Sequence, residues 1–266
     1  MQMQMQMQMD YYVHTAWIAY GVGPTVCAAL GFIVPWVILS ALEAAGAFRE
    51  SDYIQYRQVP REIDAAKTFK KVPYSVQLVT TFKQITVPHG VFNAAISAFL
   101  MPYFMKEPES TWPRSSGLLT FVALQIVGDL FLYLGHRVQH ENEWLWKNCH
   151  SMHHQLATPS LVGTAYIHPL DVTLQTSIPI LLAGIVTQAH PITFAIYTFM
   201  RVAENTVNHS GLDCTFVNIA TLKFLPGRAS TRHHDQHHRF SNYGRNAKNY
   251  GENFIIFDWL FQTLRK

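Results

Sequence analysis

SSGLLTFVALQIVGDLFLYLGHRVQHENEWLWKNCHSMHH, residues 115–154, is the stretch that decides how this chain folds. From Ser115 to Leu134 it is uncharged apart from Asp129. That length matches the roughly 20 residues a helix needs to cross a bilayer. The apolar run leads directly into His136 and His140, and then into His150, His153 and His154. A greasy helix that delivers imidazoles at its exit reads as a membrane segment with metal chemistry at one end.

Working outward, three more long apolar runs appear. Tyr11 to Leu42 holds no Asp, Glu, Lys or Arg over 32 residues, with Pro24 and Pro35 expected to kink it. Gln84 to Met105 is also uncharged, and Val172 to Met200 is interrupted only by His190-Pro191. If the histidines on either side of that last run share a site, the run must double back near His190-Pro191 as a hairpin. The expected fold is therefore all-α: an integral-membrane helical bundle of about four spanning segments, the last a hairpin, with a helical cap carrying the histidines. A soluble bundle is the alternative, but 32 uncharged residues is long for a soluble core helix.

Composition agrees. Charged residues are 14% of the chain, against ~25% in soluble domains. The net charge of +3 points to no nucleic-acid partner, and the three cysteines, Cys27, Cys149 and Cys214, have no motif spacing. Residues 1–10, mostly MQ repeats, read as a disordered low-complexity tail with no cleavable signal; 11–266 reads as one domain. The loop Glu43–Lys83 carries seven basic residues (Arg49, Arg57, Arg61, Lys67, Lys70, Lys71 and Lys83), whereas the loop on the other face has only Lys106 and Arg114. The positive-inside rule then puts the histidines in the cytosol.

Twelve of the 14 histidines fall between His136 and His238. They form three boxes: His136-x3-His140, His150-x2-His153-His154 and His234-x2-His237-His238. Residues at i, i+3 and i+4 lie on one side of a helix. Imidazole suits iron, zinc, copper and nickel alike. A structural zinc ion takes about four ligands, often with Cys. So many histidines exceed one ion and point to two.

These boxes resemble the fatty acid hydroxylase superfamily of membrane di-iron enzymes, which includes sterol C4-methyl oxidases, sterol C5-desaturases and sphinganine hydroxylases. The resemblance runs from about Asp129 to Thr263. It includes Asp129-x3-Tyr133-x2-His136-Arg137, Tyr166-x-His168-Pro-Leu-Asp171, Arg201-x2-Glu204-x4-His209-Ser-Gly and the tail from Asn253-Phe254 to Thr263. The short gap between His140 and His150 favours the hydroxylase branch over acyl-CoA desaturases. Two places depart from the pattern: Leu212-Asp213-Cys214-Thr215 follows His209-Ser-Gly, and Gln262 stands where the family usually has Gly.

The resemblance implies iron ligands at His136, His140, His150, His153, His154, His209, His234, His237 and His238, with His168 a weaker tenth. His233, His14, His89 and His190 are expected to be structural. Asp129, Tyr133 and Glu204, with Asp171 and Asp235, are expected to support the imidazoles by hydrogen bonds or to serve structure, a structural Arg201–Glu204 pair at i, i+3 being the alternative for Glu204. The sequon Asn208-His-Ser210 reads as coincidence. The resemblance further implies two iron ions, O2 as co-substrate, and electrons from NAD(P)H through cytochrome b5 and its reductase in the endoplasmic reticulum membrane. The expected reaction is sterol C4-methyl oxidation, with a sphingoid-base hydroxylase and a catalytically silent zinc scaffold as alternatives.

Overall fold

The computed structural model describes residues 17–54, 72–105, 113, 115–157 and 159–265. The MQ-rich tail, five of the basic residues counted above (Arg57, Arg61, Lys67, Lys70 and Lys71), and Lys106 and Arg114 of the opposing loop lie outside them. Among the described residues the chain is helical, with isolated bridges and no named strands.

The main helices are α1 (Gly23–Ala44), α2 (Tyr74–Gln84), α3 (Ala94–Phe104), α4 (Gly117–Glu141), α5 (Ile178–Thr187) and α6 (Pro191–Asn208). Shorter helices α7 (Thr215–Ala220), α8 (Thr231–Phe240) and α9 (Ile256–Leu260) follow. Wide π turns join or extend them. Trp17–Val22 leads into α1, Ile85–Asn93 links α2 to α3, and Thr173–Ser177 links the turn Pro169–Val172 to α5. A proline has no N–H and its ring crowds the carbonyl four residues back. Widening the preceding turn relieves this, and Pro24 and Pro179 each follow such a π segment. The kink expected at Pro24 is thus a π-to-α transition, and α1 continues as helix through Pro35.

Among the described residues, three helices are long and apolar enough to cross a membrane: Ile18–Ala44, Gly117–Glu141 and Pro169–Thr187. That is one fewer than the expected four. The run Gln84–Met105 lies in the helix from Tyr74 to Phe104 but is not among the three. Rows of apolar side chains face outward from the spans, with Leu118 and Leu119 73% and 75% exposed. Soluble monomers rarely leave such contiguous apolar surface uncovered.

The turn at His190-Pro191 is present. Gln188 adopts a left-handed conformation (φ 49°) that ends α5, and His190 Nδ1 accepts the Ile192 N–H to cap α6. The first arm begins at Pro169, earlier than expected, and its 19 residues suffice to span. Successive segments alternate in direction. The far end gathers Tyr20, Met105, Ala189 and Phe194 in one apolar cluster, and the Gln188 amide donates to the Phe104 carbonyl there. The near end gathers Leu39, Val207 and Leu212, and Thr81 Oγ1 donates to the Val162 carbonyl. Both ends of the α5–α6 hairpin therefore return to the histidine side.

Small residues let the helices approach closely, as membrane interfaces favour. A Cβ on Gly31 of α1 would lie 2.5 Å from the Phe199 carbonyl oxygen of α6, and one on Gly135 of α4 2.5 Å from that of Leu174.

Candidate metal centre

Box one sits on the last turns of α4, box two on a π turn (Trp146–His150) running into Ser151–His153, and box three on α8. His209 follows α6 directly. Together they place nine buried imidazoles in two groups. His136, His140, His150, His154 and His237 form one group; His153, His209, His234 and His238 form the other. Within each group the candidate ligand atoms lie within 4.8 Å of one another. The groups adjoin, with the rings of His154 and His238 stacked at 4.8 Å.

The spacing divides the boxes in a consistent way. Each i, i+4 pair (His136 and His140, His150 and His154, His234 and His238) stays within one group. Each i+3 member, His153 and His237, crosses to the other group. At about 100° per residue, the i+4 side chain is rotated by ~40° to one side of i and the i+3 side chain by ~60° to the other. One helical turn can therefore serve two neighbouring centres.

The hydrogen bonds set the tautomers. His136, His140, His153, His209 and His237 direct Nδ1 at the main-chain carbonyls of Tyr250, Asn242, Tyr166, Asn205 and Lys248, at 2.6–3.3 Å. Carbonyls only accept, so each Nδ1 carries the proton and each Nε2 presents a bare lone pair. His150 Nδ1 meets Asp171 Oδ2 at 2.8 Å, and Asp171 Oδ1 accepts from the Gln139 amide. Those Nε2 atoms nevertheless face one another: His140 lies 3.0 Å from His150 and 3.2 Å from His237, and His209 lies 3.3 Å from His153. Lone pairs meeting at this distance repel unless a cation lies between them. A metal bound at ~2.1 Å by neighbouring imidazoles separates their nitrogens by ~3.0–3.4 Å, which the spacing matches. The donor set thus fits metal, and its count fits two ions.

Burial holds His150, His154, His234, His237 and His238 well below the ordinary imidazole pKa, reinforced by their neighbours' charge. The neutral ring is the form that binds metal. Trp146 and Tyr250 pack against the five-histidine group, with ring centroids 4.9 and 5.4 Å from that of His140.

His168 stands outside both groups, where its Nδ1 accepts the Leu170 N–H at the start of the Pro169–Val172 turn. His233 meets Asp258 at 3.1 Å instead of joining the imidazoles. His14 and the His89 side chain lie outside the described residues. Of the two roles expected for the supporting residues, Asp129, Tyr133 and Glu204 take the structural one. Asp129 accepts the N–H groups of Asn253 and Phe254, Tyr133 bonds Thr263 at 2.8 Å, and Glu204 pairs with Arg228 at 2.5 Å. None of these bonds reaches an imidazole, because each carboxylate or hydroxyl faces the returning C-terminal segment or a neighbouring loop. Arg201 pairs with Glu252 at 2.9 Å and with Asn253, not with Glu204. Asp171 is the carboxylate that holds a clustered histidine. Asn208 is fully buried and donates to the Glu252 carbonyl, in keeping with its sequon being coincidental.

The C-terminal tail has its own hub. Asp258 accepts the N–H groups of Tyr250 and Gly251 and the Thr263 hydroxyl, which presents the Tyr250 carbonyl to His136. Gln262 adopts φ 59°, the left-handed region where glycine is cheapest; that accounts for the glycine usual there. Sequence reading did not find the carbonyls of Tyr250, Asn242, Lys248 and Asn205, since a main-chain acceptor leaves no mark in residue identity.

A cleft of about 670 Å³ opens beside the four-histidine group. His153 and His209 line it, with Thr25, Ala28 and Phe32 of α1 on the opposite wall.

Residues 121–263, more than half the chain, match the model of the fatty acid hydroxylase family. The chain is 33% identical over 156 residues to methylsterol monooxygenase 2-2 of Arabidopsis thaliana, covering 59% of this chain and 55% of that protein. It is 33% identical over 138 residues to very-long-chain aldehyde decarbonylase GL1-11 of Oryza sativa subsp. indica (52% and 49%), and 34% identical over 148 residues to GL1-8 (56% and 52%). The match spans about half the length of these relatives. No solved structure matches. By its family match and its histidine boxes, the chain belongs to the fatty acid hydroxylase family.

Proposed function

We propose that the protein is a membrane-bound, O2-dependent, non-haem di-iron oxygenase acting on a lipid, with a sterol methyl group at C4 as the preferred target. The observation carrying this is a pair of adjoining histidine groups, five and four strong, beside a cleft walled by a membrane-spanning helix. His136, His140, His150, His154 and His237 would hold one iron, and His153, His209, His234 and His238 the other. Bound iron supplies the O2 chemistry that an unactivated C–H bond demands and that acid–base side chains cannot provide.

The chain's own residues do the remaining work. Carbonyls and Asp171 keep the proton on Nδ1 of six of the nine rings, His136, His140, His150, His153, His209 and His237, so their Nε2 atoms stay available to metal. Trp146 and Tyr250 shield the five-histidine group from water. The cleft beside His153 and His209 receives the substrate from the bilayer side, its apolar body against α1. No nucleotide or haem motif occurs in the sequence, so electrons come from outside the chain, and the family resemblance implies NAD(P)H, cytochrome b5 and its reductase as their source. The basic Glu43–Lys83 loop supports a cytosolic site, in the endoplasmic reticulum membrane. A long-chain aldehyde is a second reading, favoured by the similarity to the two rice proteins named as decarbonylases.

The test is a lipid profile of cells lacking the protein, complemented with wild type or His153→Ala. Accumulated 4-methylsterols cleared only by wild type support the proposal. A change confined to aldehydes or sphingoid bases moves the substrate. Unchanged lipids together with purified protein holding only zinc would sink it in favour of a scaffold.

A further inference from the structure

The cleft beside His153 and His209 is not uniformly apolar. Glu252 and Gln175 line it, both almost wholly buried, and so does Asn205. Arg201 holds Glu252 Oε2 at 2.9 Å, but Oε1 has only a long contact, 3.4 Å, with the Gln175 amide. Asn205 Oδ1 is buried without a hydrogen-bond partner among the described residues. The Asn205 main chain is already engaged, accepting from His209 Nδ1 at 2.8 Å. A buried acceptor left unfilled costs about 1–3 kcal/mol, so Asn205 Oδ1, beside the weakly held Glu252 Oε1 in the same cleft, implies a donor that arrives with the ligand.

The remainder of the space suits an apolar body. A second hollow of about 420 Å³ shares Thr25, Ala28 and Thr176 with the first and continues between α1, α3 and α6 to Ile180, Leu181 and Phe194. The two hollows adjoin across these shared residues, with the buried Glu252 and Gln175 beside the four-histidine group.

We propose that Asn205 and Glu252, with Gln175 beside them, bind a hydroxyl group of the substrate and hold it a few bonds from the carbon that is oxidised. The ligand class is thus a lipid alcohol with a long apolar body, entering with its hydroxyl toward the metal centre. This rests on the oxygenase reading above and adds the residues that select the substrate. An acceptor pair distinguishes an alcohol, which can donate, from an ether or ketone, which cannot. Sites built to bond a hydroxyl reject analogues lacking it far more strongly than apolar pockets reject a missing methylene.

The full chain, reconstituted in lipid nanodiscs with its metal, is titrated with radiolabelled 4-methylcholestanol, its 3-methyl ether and its 3-ketone. The wild type should bind the alcohol at least about ten-fold tighter than either analogue. Asn205→Leu and, separately, Gln175→Leu should erase most of that preference while retaining wild-type metal content. Two variants are used so that a folding defect in one leaves the other to decide. Equal wild-type affinity for alcohol and ether overturns the proposal, as does a preference that survives in a variant with normal metal content. Because binding is read without turnover, a selective protein that oxidises no lipid would refute the oxygenase reading and leave the hydroxyl site standing.

Discussion

Asp171 holds the one clustered histidine whose Nδ1 meets a carboxylate, and both are fully buried. Its second oxygen accepts from Gln139, so the carboxylate has a fixed orientation. Removing an outer carboxylate from a metal-bound histidine typically weakens metal binding by about 10–100-fold. Asp171→Ala should therefore lower retained iron by that order in a chelator titration, whereas Asp129→Asn should leave it near wild type and instead reduce thermal stability. The difference follows from where the two carboxylates point, one at an imidazole and one at the backbone of Asn253 and Phe254. Protons compete at the same residues. His150, His154, His234, His237 and His238 are held below the ordinary value, 6.5, chiefly by burial. Above that value both folded and unfolded chains keep these rings neutral, and stability is at its full level. As pH falls below it, the unfolded chain takes up protons that the folded one refuses, so stability declines. Melting temperature and metal content should both be flat from about pH 8 to 7 and drop together toward pH 5; a flat profile throughout would contradict the burial argument.

At the level of elements, glycines set the helix spacing on which the cleft depends. Gly31 of α1 packs against the backbone of α6 near Phe199, and Thr25 and Ala28 on the same helix line the cleft. Gly31→Leu must push the helices apart or displace main chain. Overpacking of this kind costs about 1–3 kcal/mol, so unfolding in detergent should occur several degrees lower and lipid binding should weaken. Iron content should change little, since α1 contributes no histidine to either group. The histidine elements show how much could be read without coordinates. The i, i+4 spacing of the first box and the i, i+3, i+4 spacing of the other two announced three imidazole-bearing turns, but not that His153 and His237 would leave their own boxes for the opposite group. That division depends on how three helices are juxtaposed. Helix type was similarly hidden: the prolines foretold disturbance, and packing resolved it as widened π turns.

Across the whole molecule, alternation of the segments puts the α5–α6 turn and the histidines at opposite ends. Single cysteines placed at Gln188 and at Lys147, both exposed, in a background lacking the native thiols, should react with a membrane-impermeant maleimide from opposite sides of sealed microsomes. Lys147 should be reached from the cytosolic side; labelling of both from one side would refute the hairpin. The sequence by itself determined that the chain is helical, that it meets lipid, and that its histidines are too many for one ion. Those conclusions follow from local quantities: apolar run length, the low share of charged residues and the periodicity of imidazoles. Only the tertiary structure decided that nine histidines converge while His168 caps a helix, that Asp171 serves the centre while Asp129 and Glu204 serve other parts of the fold, and that main-chain carbonyls orient most of the rings. These depend on contacts between residues far apart in the chain, such as His136 with Tyr250 and His140 with Asn242. A backbone carbonyl is the same at every position, so the sequence carries no sign of which ones will be used.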